Sequence, residues 1–320
     1  MISECFSMNC QIRHRYPDLC LPGKADITDE TTALNLNADF LANDLRDEDI
    51  AYLKDYKNLK ELFLSFNSIS NLKPLSGLTN LKIIKLYKNH ISDLSPLKTM
   101  ANLEDLCIGD NDISDLSPLS EMKNLRKLVL NSNHIRLLGP LSDNLSLTNL
   151  DLSDNEIRSI RPLTRLVNLE YLNLGDNEIR SFTGLKSFVN LKQLGLRKSE
   201  LESLSAVASV KSLELLDVGE NEIRSLEPLV KLSNLEFLDL SKNEIRSIEP
   251  LSQLTKLKAL DLSDNFIDDL SPLAGLKNLE RLKIHGNQVM DWSHVSHVPY
   301  VYVDRNSWTN QEQLDFVVGF

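Results

Sequence analysis

The sequence predicts an α/β solenoid, with a parallel sheet of very short strands along one side and turns or 3₁₀ pieces along the other. Three observations lead there. From Leu59 the chain can be cut every 22 residues without an insertion or deletion, giving eleven registers, the last opened by Leu279. Each keeps the pattern L-x-x-L-x-L-x-x-N-x-I-x-x-L-x-P-L-x-x-L-x-N, as in LEFLDLSKNEIRSIEPLSQLTK at 235–256. A fixed period of this length marks stacked units, none of which can bury its apolar face alone.

Within a register the L-x-L core, such as Leu238-Asp239-Leu240, alternates as a strand buried on one face. Stacked copies make a parallel sheet with a continuous core behind it. Position 16 is Pro in eight registers, from Pro74 to Pro272. Its fixed φ and missing N–H disfavour a central strand or an unbroken helix, so short turns or 3₁₀ pieces are expected on the return. Position 9 is Asn in ten registers. A carboxamide there can satisfy loop backbone groups, each of which would cost about 1–3 kcal/mol if buried unpaired.

The ends complete the organisation. Residues 1–30 form a flank, flexible or capping, in which MISECFSMNCQIRHRYP shows no apolar run with a cleavage site. Residues 31–58 form an irregular first rung: Leu34 and Leu36 mark its strand, and Ile50, Leu53 and Tyr56 sit at helical spacing on a return six residues longer than standard. The eleven regular units run from 59 to 300. Residues 301–320 abandon the pattern and supply Trp308, Leu314, Phe316, Val317 and Val318 as a cap over the last rung.

Composition narrows the function. With 42% hydrophobic and 25% charged residues and no long apolar run, the chain reads as soluble and cytoplasmic. A net charge of -11 excludes a general nucleic-acid binder, which needs a basic stripe. Of the four cysteines, Cys5, Cys10, Cys20 and Cys107, three crowd near the start, a spacing compatible with one local disulfide; without an export signal, free thiols in a reducing compartment are the expectation. Cys5, Cys10, His14 and Cys20 match no common zinc spacing, and His285, His294 and His297 are expected on the surface. Strings such as Asp151-x-x-Asp154-Asn155 lack the glycine and terminal glutamate of a calcium loop. The sequon Asn144-Leu145-Ser146 means little without an export signal. No acid, base and nucleophile stand outside the repeat register, so neither an enzyme nor a cofactor is expected.

These residues resemble the leucine-rich-repeat superfamily over about residues 31–300. The 22-residue unit with N-x-I-x-x-L-x-P-L is similar to listerial internalins and to the leucine-rich regulatory subunit of type-one protein phosphatase. The resemblance implies a right-handed arc whose concave sheet binds another protein, with positions 2, 3, 5, 7 and 8 of each unit facing the concave solvent. Read as columns, position 5 stacks Asp217, Asp239 and Asp261, like charges that a basic side chain of a partner would compensate. Beside them at position 3 lie Tyr171, Leu215 and Phe237, with a second aromatic group of Phe63, Phe66 and Tyr87 near the start.

One unit departs from the pattern. In GLRKSELESLSAVAS at 195–209, Ser199 replaces the column Asn and Ala206 the Pro, which predicts a softer rung. Arg197 lies between Gly175 and Gly219 in column 7, leaving its guanidinium free for a partner carboxylate, and Gly195 opens a gap beside Asp217. Position 10 glutamates and position 12 arginines alternate along the convex edge as a solvated ladder. The expected function is a monomeric, non-enzymatic module that holds a protein with basic and apolar contact residues, without nucleic acid or membrane. Alternatives are a regulatory subunit of an enzyme such as a phosphatase, and an internalin-like bacterial adhesin or effector.

Overall fold

The computed structural model describes residues 30–38 and 44–303. Chain contacts divide it into two compact units, Met1–Leu169 and Glu170–Phe320. Unit 1 carries six parallel strands of three residues: β1 (Ala33–Asn35), β2 (Glu61–Phe63), β3 (Ile83–Lys85), β4 (Asp105–Cys107), β5 (Lys127–Val129) and β6 (Asn149–Asp151). Unit 2 carries seven: β7 (Tyr171–Asn173), β8 (Gln193–Gly195), β9 (Leu215–Asp217), β10 (Phe237–Asp239), β11 (Ala259–Asp261), β12 (Arg281–Lys283) and β13 (Tyr300–Tyr302).

Register follows the repeat. Leu62 pairs with Ile84 and Leu238 with Leu260, so each rung stacks its leucines on those of the next. The two ends differ from the 22-residue step: Leu34 pairs with Leu62, and Leu282 with Val301, 19 residues on. β13 therefore adds a strand past the last regular unit. The long first return is a 3₁₀ turn, Ala51–Asp55, with Ile50 and Leu53 fully buried, and not the helix their spacing suggested. Five residues are too few for the α-helical ladder to close more than one turn.

Elsewhere the returns are 3₁₀ turns of three to five residues, with proline second in eight of them, as Pro96 in Ser95–Leu97 and Pro228 in Glu227–Lys231, but not in Thr183–Ser187, Val207–Ser209 or Ser293–Val295. In that position its absent N–H leaves no turn hydrogen bond unmade. The core is aliphatic: Leu59, Leu62, Leu64, Ile69, Leu75 and Leu78 of one rung are each 0% exposed.

The position 9 asparagines work as the spacing predicts. In unit 1 the Asn89 amide donates to Leu64 O at 3.0 Å on the preceding rung and to Leu86 O at 3.1 Å on its own, while its Oδ1 accepts from Ile69 N at 3.0 Å. In unit 2 Asn243 does the same with Val218 O, Leu240 O and Ile223 N. One side chain thus ties two rungs through three backbone groups that leave the strand with no ladder partner. Position 8 is left-handed throughout, with φ from 52° at Asp176 and Lys242 to 61° at Phe66 and 70° at Gly286. The strand turns outward there, so its charged side chains project away from the core.

One further expectation needs correction. Cys107 is not a free thiol but disulfide-bonded, because neither its packing nor its oxidation state is legible in cysteine spacing. Cys5, Cys10, Cys20 and His14 lie outside the described residues, as do Trp308, Leu314, Phe316, Val317 and Val318.

Candidate protein-binding face

In unit 1 the aromatic group near the start of the chain is largely packed away. Phe63 is 5% exposed and Tyr87 9%. Tyr87 clusters with Cys107 and Val129, and half-buried Phe66 joins them edge-on to Tyr87, ring centroids 5.6 Å apart. Beside them Lys85 and Asp105 form an ion pair of 2.7 Å between mostly buried side chains.

In unit 2 the position 3 and 5 columns fall side by side as expected: Leu215 pairs with Phe237 and Asp217 with Asp239, which pairs in turn with Asp261. Tyr171 and Phe237 are half-buried. Leu215 is buried and so belongs to the floor of this face.

The aspartates do not wait for an external cation. Each first caps the turn that ends its strand: Asp217, Asp239 and Asp261 accept the N–H of Gly219, Ser241 and Ser263 at 2.9, 2.8 and 2.9 Å. Their charges are then met from both sides within unit 2. Lys283 lies 3.2 Å from Asp261. Arg197 reaches Asp239 at 3.0 Å, Asp217 at 3.4 Å and Glu220 at 3.2 Å, and points Nη2 at Ser241 Oγ.

Arg197 is therefore not free, contrary to the expectation from its glycine neighbours. The glycines serve the opposite purpose. A Cβ on Gly219 would stand 2.4 Å from Arg197 Nη1, so only glycine lets the guanidinium lie across the sheet to the aspartates. Gly175 admits the Arg197 backbone, whose O would be 2.8 Å from an added Cβ. Nor does Gly195 open a gap, since the Asn173 side chain fills that space, 2.4 Å from where a Cβ would be.

Electrostatics follow from this packing. Burial, and then the neighbouring Asp239 charge, push Asp217 up to about 7, against the pull of Arg197. Burial and Asp239 likewise raise Asp261, with Lys283 pulling it down. Burial works against the Arg197 charge, yet Asp217, Asp239 and Glu220 together hold its pKa above the ordinary value. Lys198, on the next column, pairs with Asp176 at 2.7 Å, while Lys242 takes Glu220 at 3.0 Å.

Sequence reasoning missed Lys283 and Gly219 as parts of this network. Both signals were in the columns: Lys283 follows Asp261 at position 5, and Gly219 follows Arg197 at position 7. The three C-terminal histidines do not converge: His285 faces Asp264 at 3.8 Å, His294 faces Asp291 at 3.5 Å, and His297 Nε2 lies 3.0 Å from Leu276 O.

Comparison with known proteins places this geometry. The family model for leucine-rich repeats, in two copies, matches residues 57–99, 101–143, 145–187, 211–253, 233–275 and 255–297. Among solved structures, an internalin, InlF, from Listeria monocytogenes is 27% identical over 94% of each chain, with a TM-score of 0.69. A leucine-rich-repeat protein of Leptospira interrogans is 24% identical over 78% of this chain and 74% of its own, with a TM-score of 0.67. The plant peptide hormone receptor RGFR1, solved in complex with RGF2, is 25% identical over 79% of this chain and 46% of its own, with a TM-score of 0.63. No curated protein sequence matches the chain.

Proposed function

This chain belongs to the leucine-rich-repeat family, and from that premise we propose that it is a non-enzymatic module whose unit 2 sheet face holds a protein partner. The observation that carries this reading is the composition of that face. Half-buried Tyr171 and Phe237 stand beside the Arg197–Asp217–Asp239 network, whose groups are already oriented and partly desolvated. Aromatic anchors next to fixed charges are the usual centre of an interface, because little side-chain entropy remains to be lost on binding.

Leu215, Asp239 and Asp261 form the floor of the site, while Tyr171, Arg197, Asp217 and Phe237 offer contact atoms. A partner with basic and apolar residues fits, since Glu214 lies exposed on the same face. Phe63, Phe66 and Tyr87 stiffen the unit 1 face and give it a smaller role. The same reading takes the protein as a monomer that uses neither nucleic acid nor membrane; among the described residues no helix is long and apolar enough to cross a bilayer. A receptor of the same fold solved with a bound peptide hormone supports the use of such a face for protein ligands.

The test is crosslinking and affinity purification with Tyr171→Glu/Phe237→Glu beside the parent chain. Loss of a specific partner is expected, and equal recovery refutes the reading. A second reading, an internalin-like adhesin, is favoured by the match to InlF over nearly the whole of both chains. The disulfide at Cys107 favours an oxidising compartment over the cytoplasm and so supports it. Surface labelling of intact cells separates the two addresses.

A further inference from the structure

On the 3₁₀ side of unit 1 one rung departs from its neighbours at two nearby positions. Position 13 elsewhere carries Asn, Asp or Ser, whose side chain accepts the N–H of position 15: Asp93 from Ser95 at 2.8 Å, Asp115 from Ser117 at 2.8 Å, Ser159 from Arg161 at 3.3 Å. In the rung at 125–146 these positions are Leu137 and Gly139. Leu137 is 76% exposed, so the rung gives up a cap and gains no burial in exchange. Gly139 is not required by its backbone, since Gly286 is the described glycine with positive φ. An added Cβ at Gly139 would meet nothing within 4 Å.

Both line an open groove of about 640 Å³ between this rung and the next, with Pro140 and Pro162 in its walls. Arg136, Arg161 and Arg165 stand around it. Arg136 pairs with Glu156 and Arg165 with Asp143, each through an exposed side chain, and Arg161 makes no ion pair among the described residues. In a chain of net charge -11, this is a local reversal of sign beside an exposed leucine.

We propose that this groove is a docking site for an acidic segment of a partner protein, in which one bulky apolar side chain is flanked by Asp or Glu. The apolar side chain lies against Leu137, Pro140 and Pro162, in the space that Gly139 leaves. A flanking carboxylate pairs with Arg161, and others compete for Arg136 and Arg165. Exposed ion pairs add little affinity each and weaken with salt, so the apolar contact supplies the hold and the arginines select the sequence. The site is separate from the unit 2 face and stands or falls without it.

Random peptides of about twelve residues, displayed on phage and selected against the full chain, provide the probe. Enriched sequences are expected to carry an apolar residue among Asp and Glu. Synthetic copies should bind L137D/G139S at least about tenfold more weakly than the parent, and Arg161→Glu should weaken them too. L137D/G139S restores the Asp-Leu-Ser-Pro of residues 93–96 and 115–118, so it folds and melts no lower than the parent. Tyr171→Glu/Phe237→Glu should leave this binding unchanged. Enrichment of no acidic-apolar peptide, equal binding to L137D/G139S, or loss of binding in Tyr171→Glu/Phe237→Glu each overturns the proposal.

Discussion

Removing the guanidinium from the unit 2 network, as in Arg197→Met, tests how that network is held. Methionine keeps the apolar stem and deletes the guanidinium that lies over Gly219 and meets Asp217, Asp239 and Glu220. Stripping the partner from a fully buried ion costs about 3–5 kcal/mol. The Arg197 side chain is 36% exposed, so solvent screening brings the expected loss toward about 2 kcal/mol at pH 8. The pH dependence carries the decisive sign. Asp217 is pushed up to about 7 in the folded chain from an ordinary value of 3.8, so the fold keeps its proton where the unfolded chain has lost it. Its favourable contribution is complete below about pH 4 and is lost as the pH rises through about 7. At pH 5 Asp217 is neutral with or without the arginine, and only the pairs with Asp239 and Glu220 are lost. The destabilisation of Arg197→Met should fall there to about half its value at pH 8. Urea unfolding of both chains at the two pH values, followed by circular dichroism, measures it. An equal loss at both, or a greater loss at pH 5, would show that Asp217 does not share its proton balance with Arg197.

Two further substitutions address the repeat columns. Asn144 fills position 20, where other rungs place Leu, Met, Phe or Val; it is fully buried, with Nδ2 on Leu119 O and Met122 O and no partner for Oδ1. Asn144→Leu removes an unsatisfied acceptor and adds apolar burial while both carbonyls keep a backbone partner, so a gain of about 1–2 kcal/mol is expected; thermal melting at or below the parent's refutes it. Ser199→Asn restores the ladder amide between adjacent rungs of unit 2 and should gain about 1 kcal/mol. Hydrogen exchange checks it: amides at 195–209 should exchange faster than those of adjoining rungs in the parent, and the substitution should slow them.

The resemblance of the chain to its own neighbours made most of the fold legible. A strict 22-residue period fixes which leucines share a column, and any stack of such columns must pair strands in parallel and in register. The asparagine ladder was readable for the same reason, since a side chain that recurs where each strand ends must serve the backbone there. The long first return was misread as helix because helical spacing over a few residues is also satisfied by a 3₁₀ turn.

What periodicity could not decide is where long side chains go. Arg197 in a column of glycines reads from the sequence as a side chain with empty space around it; in the fold that space is the path to Asp217 and Asp239. The aspartate column reads as unmet charge, yet its counterions come from Arg197 at one side and Lys283 at the other. Leu137 and Gly139 escape a reading of the sequence altogether, and line a groove only because the next rung supplies its other wall. A repeat determines backbone positions from local pattern, but the reach of a flexible side chain across rungs depends on which neighbours leave room, and that is settled only in three dimensions.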